Sequence, residues 1–306
     1  MIVVTLVIIL ALPVATSTWE LTQPHNNIES TPEYNLARWL MDNNGHQRVY
    51  ATGTVSFWLN VFTEIPQLRG GSDQGATNPW GINAAIEINT GKDEELSVLW
   101  CKALNIRYVV VIYPNADTPY HDYIFPNKFE EALQLRHTYM GFSIFEVPLI
   151  NSDLVQPVDV NRLQDLETIK RIDDDEALSR YVNLVEAMPT ATVHVRYDKV
   201  DRLELGVTNA TEKTHILVKM TYDERWNAYI DGKEVAITKV GPDFMLINPA
   251  EKGNYMLELV CETIATEVLG TAISISTIVI LLVFSAYKFG KQKYQNIKTT
   301  DVDVLV

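Results

Sequence analysis

The sequence predicts a membrane-anchored α+β protein: an exoplasmic α/β domain over residues 27–150, a helix with a β-sandwich domain over 151–264, and a transmembrane helix over 266–288. Three observations predict it. Val268–Tyr287 is an uncharged run about as long as a helix needs to cross a bilayer core. Helical and strand patterns alternate up to about residue 150, and short β-prone runs separated by turn signals fill the stretch before the span.

The span sets the topology. Glu267 closes it on one side, while Lys288, Lys291, Lys293 and Lys298 crowd the other. Lysines clustered beside a span stay in the cytoplasm, so residues 289–306 read as a cytoplasmic tail and the large body as extracellular, in a single-pass or two-pass protein of the cell membrane. Met1–Ser17 is apolar with no Lys or Arg before it. Residues 1–18 read as a cleaved signal peptide, a retained membrane segment, or the end of the last span of a longer membrane protein.

With 47% hydrophobic and 21% charged residues in 306, the chain can bury one or two cores, and the composition argues against disorder. A net charge of −14 argues against nucleic acid as a partner and leaves the lipid bilayer, met by the span, as the first expected one. Cys101 and Cys261 fall far apart, so two buried thiols are expected in preference to one long-range bridge.

In chain order, Ser30-Thr31-Pro32-Glu33 reads as a helix start, with a hydroxyl to cap, proline in the first turn and an acid near the positive end of the dipole. Leu36, Trp39 and Leu40 give that helix one apolar face, and Asn43-Asn44-Gly45 ends it. Gln47–Ala51 reads as a strand and Phe57–Phe62 as a buried piece, helix or strand. Pro66–Trp80 holds three glycines within six residues and then Asn78-Pro79, which excludes regular structure and predicts an exposed loop. Its Arg69, Asp73, Gln74 and Asn78 suit sugar hydroxyls or a phosphate, and Trp80 suits stacking on a ring; a structural turn is the alternative. A phosphate-binding loop is excluded, because no Gly-Lys-Ser/Thr and no GxGxxG is present.

Asp93–Asn105 predicts a helix, and Ile106–Tyr113, nearly continuous in β-branched and aromatic residues, a strand covered on both faces. Tyr120-His121-Asp122 follows in a loop beyond that strand, where open α/β sheets place ligands. Lys128–Gln134 predicts a short helix, and Phe142–Val147 an edge strand that closes the domain. Asp173-Asp174-Asp175 lacks the spacing of a calcium loop and reads as the N-terminal cap of a helix over Glu176–Ala187. Strands are expected at His194–Tyr197, Arg202–Val207, His215–Met220, Trp226–Ile230, Glu234–Thr238, Phe244–Ile247 and Tyr255–Cys261, with Asp231-Gly232 the clearest hairpin. Asn209-Ala210-Thr211 is a glycosylation sequon.

The stretches SFWLNVFTEIPQLRGGSDQGATNPW, CKALNIRYVVV, PYHDY with KFEEAL, LVKMTYDERWNAYIDGKEV, GPDFMLI and KGNYMLELV resemble the C-terminal exoplasmic region of large multi-spanning membrane proteins. Those proteins are similar to GT-C glycosyltransferases and are labelled 6-pyruvoyl-tetrahydropterin synthase-related. The β part also resembles the YfhO-like membrane proteins. The resemblance spans about Tyr34 to Tyr287. It implies sugar transfer from a polyprenyl-phosphate donor, with the catalytic acid in a many-helix membrane domain that this sequence does not contain. No catalytic residue carries over, therefore, and no cofactor or metal is implied, since the six histidines lack the pairing of a zinc site. Arg69–Trp80 and Tyr120–Asp122 carry over as candidate ligand contacts. The expected function is a non-catalytic module that binds glycan or a multi-spanning membrane glycosyltransferase partner. The alternatives are a free-standing enzyme using His121 and Asp122 as an acid–base pair, and a structural surface protein.

Overall fold

The computed structural model describes residues 27–71, 76, 78–163, 166, 168–189, 191–199, 201–263 and 265–302. The expectations for Met1–Ser17, Asp73 and Gln74 lie outside them.

Helix α1 (Pro32–Asn44) starts as its sequence predicts: the Thr31 side chain accepts from Tyr34 N, and proline occupies the first turn. Strand β1 (Arg48–Tyr50) leads into α2 (Gly53–Phe62), and α3 (Pro79–Thr90) and α4 (Glu94–Ala103) follow. Strand β2 (Ile106–Ile112) is almost wholly buried, as a continuous β-branched run requires. After α5 (Lys128–Ala132) come β3 (Gln134–Tyr139) and β4 (Phe142–Glu146). The four strands form a sheet in the order β1-β2-β4-β3, with β1 and β2 parallel and the other pairs antiparallel.

Strand β4 therefore lies inside the sheet, and its expected place at the edge is corrected. The edge is β3, whose half-exposed sequence Gln134–Tyr139 carries no apolar signal. The buried piece expected at Phe57–Phe62 is also corrected: α2 buries Val55, Ser56 and Leu59 and leaves Phe57 and Val61 in solvent.

Strand β5 (Val155–Asp159) precedes α6 (Asp175–Val185), which is capped by Asp174 through Ala177 N. Strands β6 (Thr192–Lys199), β7 (Arg202–Ala210), β8 (Thr214–Thr221), β9 (Trp226–Ile230), β10 (Lys233–Val235), β11 (Ile237–Val240), β12 (Phe244–Ile247) and β13 (Gly253–Cys261) make two antiparallel sheets with β5. Their orders are β10-β9-β13-β7-β6 and β11-β12-β8-β5. The single strand expected at Glu234–Thr238 is in fact two, one in each sheet. At Asp231-Gly232 both residues take positive φ, 50° and 75°, so the predicted hairpin turn joins β9 to β10.

Side-chain alternation shows where the cores sit. On β8 and β12, Ile216, Val218, Met245 and Ile247 join a cluster with Leu203, Leu205, Leu257 and Leu259 of the five-stranded sheet. The alternate residues Leu217, Phe244 and Leu246 join the larger cluster of the first unit and α6. The four-stranded sheet β11-β12-β8-β5 is thus covered on both faces and ties the two units together, which explains why FMLI at β12 is apolar throughout.

Cys101 is buried and Cys261 half-buried, and both are free thiols. The last helix, α7, runs Ala265–Val302. Its Ala265–Lys288 portion, 24 residues with none buried in the fold, is the one helix among the described residues long and apolar enough to cross a membrane. Arg225 Nη1 meets Glu267 Oε1 at 3.0 Å, joining the body to the start of this helix.

Candidate functional site

Strands β1 and β2 are parallel, so their C-terminal ends open on the same edge of the sheet. The chain leaving β1 turns at Thr52 and Gly53 into α2, and the chain leaving β2 returns through Tyr120–Asp122. A cavity of about 250 Å³ lies there, lined by Ala51, Thr52, Gly53, Phe57, Arg69 and Asp122 together with Ser56, Gly71 and Tyr120. Two stretches singled out in the sequence, some 50 residues apart, thus meet in one wall.

Two glycines shape this cavity. Gly53 has φ +58°, and a Cβ there would lie 2.8 Å from Cβ of Tyr120. Gly71 has φ +92°, and its Cβ would lie 2.9 Å from the Phe57 ring. Only glycine combines those angles with that approach. The rings so admitted stay open to solvent, Phe57 at 52% and Tyr120 at 46% exposure. Thr52 stands at the N-cap of α2 without capping it; it is 5% exposed, and among the described residues its Oγ1 has no hydrogen-bond partner. A polar atom left unpaired in a buried position is costly unless something fills the gap.

The Arg69 guanidinium hydrogen-bonds the Tyr50 hydroxyl, which donates to Asn89 Oδ1 at 2.9 Å. Burial pushes the Tyr50 hydroxyl far above its usual pKa, against the opposing pull of Arg69, so it stays a neutral donor. The loop that carries Arg69 is pinned by its first residues, because Val49 N donates to Pro66 O and Leu68 N to Val49 O. Arg69, Gly70 and Gly71 are half-buried, so this part of the expected exposed loop forms a wall.

The remaining sequence candidates divide. Asn78 accepts from Trp80 N as the N-cap of α3 and reaches Pro242 O at 3.0 Å, so it bridges the units. It lines a second cavity, of about 260 Å³, with Arg48, Arg69, Thr221 and Phe244. Trp80 stacks on Trp100, with ring centroids 5.5 Å apart, and packs on the core, outside both cavity linings. Its ring serves the structural reading of the loop. His121 is exposed and lines neither cavity, and among the described residues no hydrogen bond joins it to Asp122. Asn209 is exposed at the end of β7 with φ 60°.

Sequence reasoning missed Phe57, Thr52 and Arg48. Helical spacing could have found Phe57: Phe57 and Val61 fall on the face opposite Val55 and Leu59. Nothing local signals Thr52 or Arg48. Among the described residues no three His, Cys, Asp or Glu side chains converge as metal ligands would. No family model, no curated protein and no solved structure matches this chain.

Proposed function

We propose that this chain is a non-catalytic, membrane-tethered exoplasmic module that binds glycan beside a multi-spanning, GT-C-like membrane glycosyltransferase. In this reading α7 is the anchor, the lysines after Tyr287 hold the tail in the cytoplasm, and the two antiparallel sheets are a β-sandwich that carries the α/β unit. The exposed sequon at Asn209 then faces the compartment where glycosylation occurs.

One observation carries the glycan reading: the cavity at the ends of β1 and β2 pairs two exposed aromatic rings, Phe57 and Tyr120, with Arg69 and Asp122. Sugar rings offer a C–H face for stacking and hydroxyls that both donate and accept. An aromatic floor with one cationic and one anionic group answers both needs. The free-standing enzyme has no such support, since His121 stands outside the lining.

The test is a glycan array probed with the full chain in mild detergent. Retention of a defined set of saccharides by the wild type, lost in Tyr120→Ala, supports the reading. An empty array, or retention unchanged in Tyr120→Ala, removes it.

A further inference from the structure

The second cavity lies between the units, and its wall holds a guanidinium that, among the described residues, has no counter-charge. Arg48 is half-buried at the first position of β1. Its Nη1 donates to Leu104 O at 2.5 Å and its Nη2 to Lys219 O at 2.8 Å, and the group lies 5.6 Å from the centre of the Phe244 ring. These partners are carbonyls and a π face. Among the described residues no Asp or Glu side chain pairs with it.

Behind Arg48 sits Lys219, 2% exposed, with Nζ donating to Asn105 Oδ1 at 2.8 Å and to Asn151 O at 2.9 Å. Among the described residues no carboxylate hydrogen-bonds it, though Asp153 and Glu186 act on it at longer range. Desolvation pulls Arg48 down to about 10 and, with the repulsion of Arg48 added, Lys219 down to about 7. A guanidinium and an amine at a buried junction, the amine offset only in part by the longer-range attraction of Asp153 and Glu186, are unexpected even in a chain of net charge −14. Carbonyls satisfy donors without cancelling charge, and the planar fork of Arg48 keeps further N–H groups for a ligand.

We propose that the cavity between the units is an oxyanion site that takes the phosphate or carboxylate group of an acidic saccharide, with Arg48 as its principal donor. The saccharide part rests on the glycan reading; the oxyanion part rests on Arg48 and Lys219. Arg69 lines both cavities, so an acid group beside Arg48 lies one side chain away from a sugar ring held by Phe57 and Tyr120. The oxyanion then accepts a charge-assisted hydrogen bond from Arg48 and supplies the missing neutrality at once.

The test is calorimetric titration of the full chain in detergent with four probes: inorganic phosphate, glucose, glucuronate and glucose 1-phosphate. The expected result is an acidic sugar bound about tenfold or more tightly than glucose, with phosphate competing for it. Glucuronate and glucose 1-phosphate distinguish a carboxylate from a phosphate as the source. The preference should vanish in Arg48→Gln and in Thr221→Glu, the latter setting a carboxylate in the cavity wall while leaving Arg48 in place, with folding checked by near-UV circular dichroism. Equal binding of glucose and its acidic forms overturns the oxyanion site and spares the glycan reading. A preference that persists in Thr221→Glu also overturns it, placing the anion elsewhere. Binding of phosphate without any sugar keeps the oxyanion site and removes the saccharide along with the glycan reading. Failure of all four probes overturns both.

Discussion

Lys219 makes the junction between the units sensitive to pH, even with no ligand present. Its ammonium group falls from 10.5 to about 7 in the fold because burial disfavours charge and Arg48 repels it, with Asp153 and Glu186 compensating only in part. The folded state therefore holds this proton more weakly than the unfolded chain does. Below about pH 7 both states carry the proton, and the fold bears the full penalty. Between about pH 7 and about 10.5 the unfolded state alone retains it, so this group makes stability climb with pH. Urea unfolding of wild type and Lys219→Met across that window should show the wild-type rise flattened in the variant. Parallel curves would mean that Lys219 keeps an ordinary pKa. Nothing in the sequence around Lys219 announces this, since its strand reads simply as half-apolar and its partners come from residues more than 60 positions away.

Among the elements, those governed by local chemistry were legible. The Asp174 cap, the Asp231-Gly232 turn, the doubly covered β2 and the uncharged span each follow from neighbours in the chain. Elements decided by distant partners were not. Strand β5 holds Gln156 and Pro157 yet is buried, because Gln156 donates to Val185 O across the fold. Helix α3 was hidden behind the Gly-rich loop, though Asn78-Pro79 is a cap followed by a first-turn proline. The break of Glu234–Thr238 into two strands reflects a chain that changes sheets, which alternation alone does not mark. The same division holds at the site. Arg69, Tyr120 and Asp122 were nameable as polar or aromatic residues in unusual loops, whereas their meeting depended on the parallel pairing of β1 with β2. For α7 the consequence is direct: Ile278→Arg, near the middle of Ala265–Lys288, should raise the cost of insertion by about 3–4 kcal/mol. A reporter of membrane integration should register the loss, and unchanged integration would argue against a span.

At the scale of the whole molecule, the sheet β11-β12-β8-β5 packs against both units and should make the body unfold as one. Phe244 and Leu246 face the first unit while Met245 and Ile247 face the five-stranded sheet, so neither unit has a complete core without this sheet. Phe244→Ala should lower stability by about 3–5 kcal/mol and shift probes in both units together. Separate transitions for the two units would show that they fold independently. The same junction holds the cavity beside Arg48, and the edge of the first unit holds the cavity beside Tyr120, with Arg69 in the wall of each. A rigid body would in this way present one continuous surface to a ligand, and in the proposed reading α7 would hold it at the membrane.

That surface is tested most directly by the dissociation constant of the full chain in detergent for a saccharide retained on the array, compared with the Phe57→Ala, Tyr120→Ala double variant. Both rings are about half exposed, so their loss should leave the unfolding midpoint nearly unchanged. The account predicts binding weakened about tenfold or more, the loss of two stacking contacts. Equal affinity in the double variant would contradict it and place any glycan elsewhere on the protein.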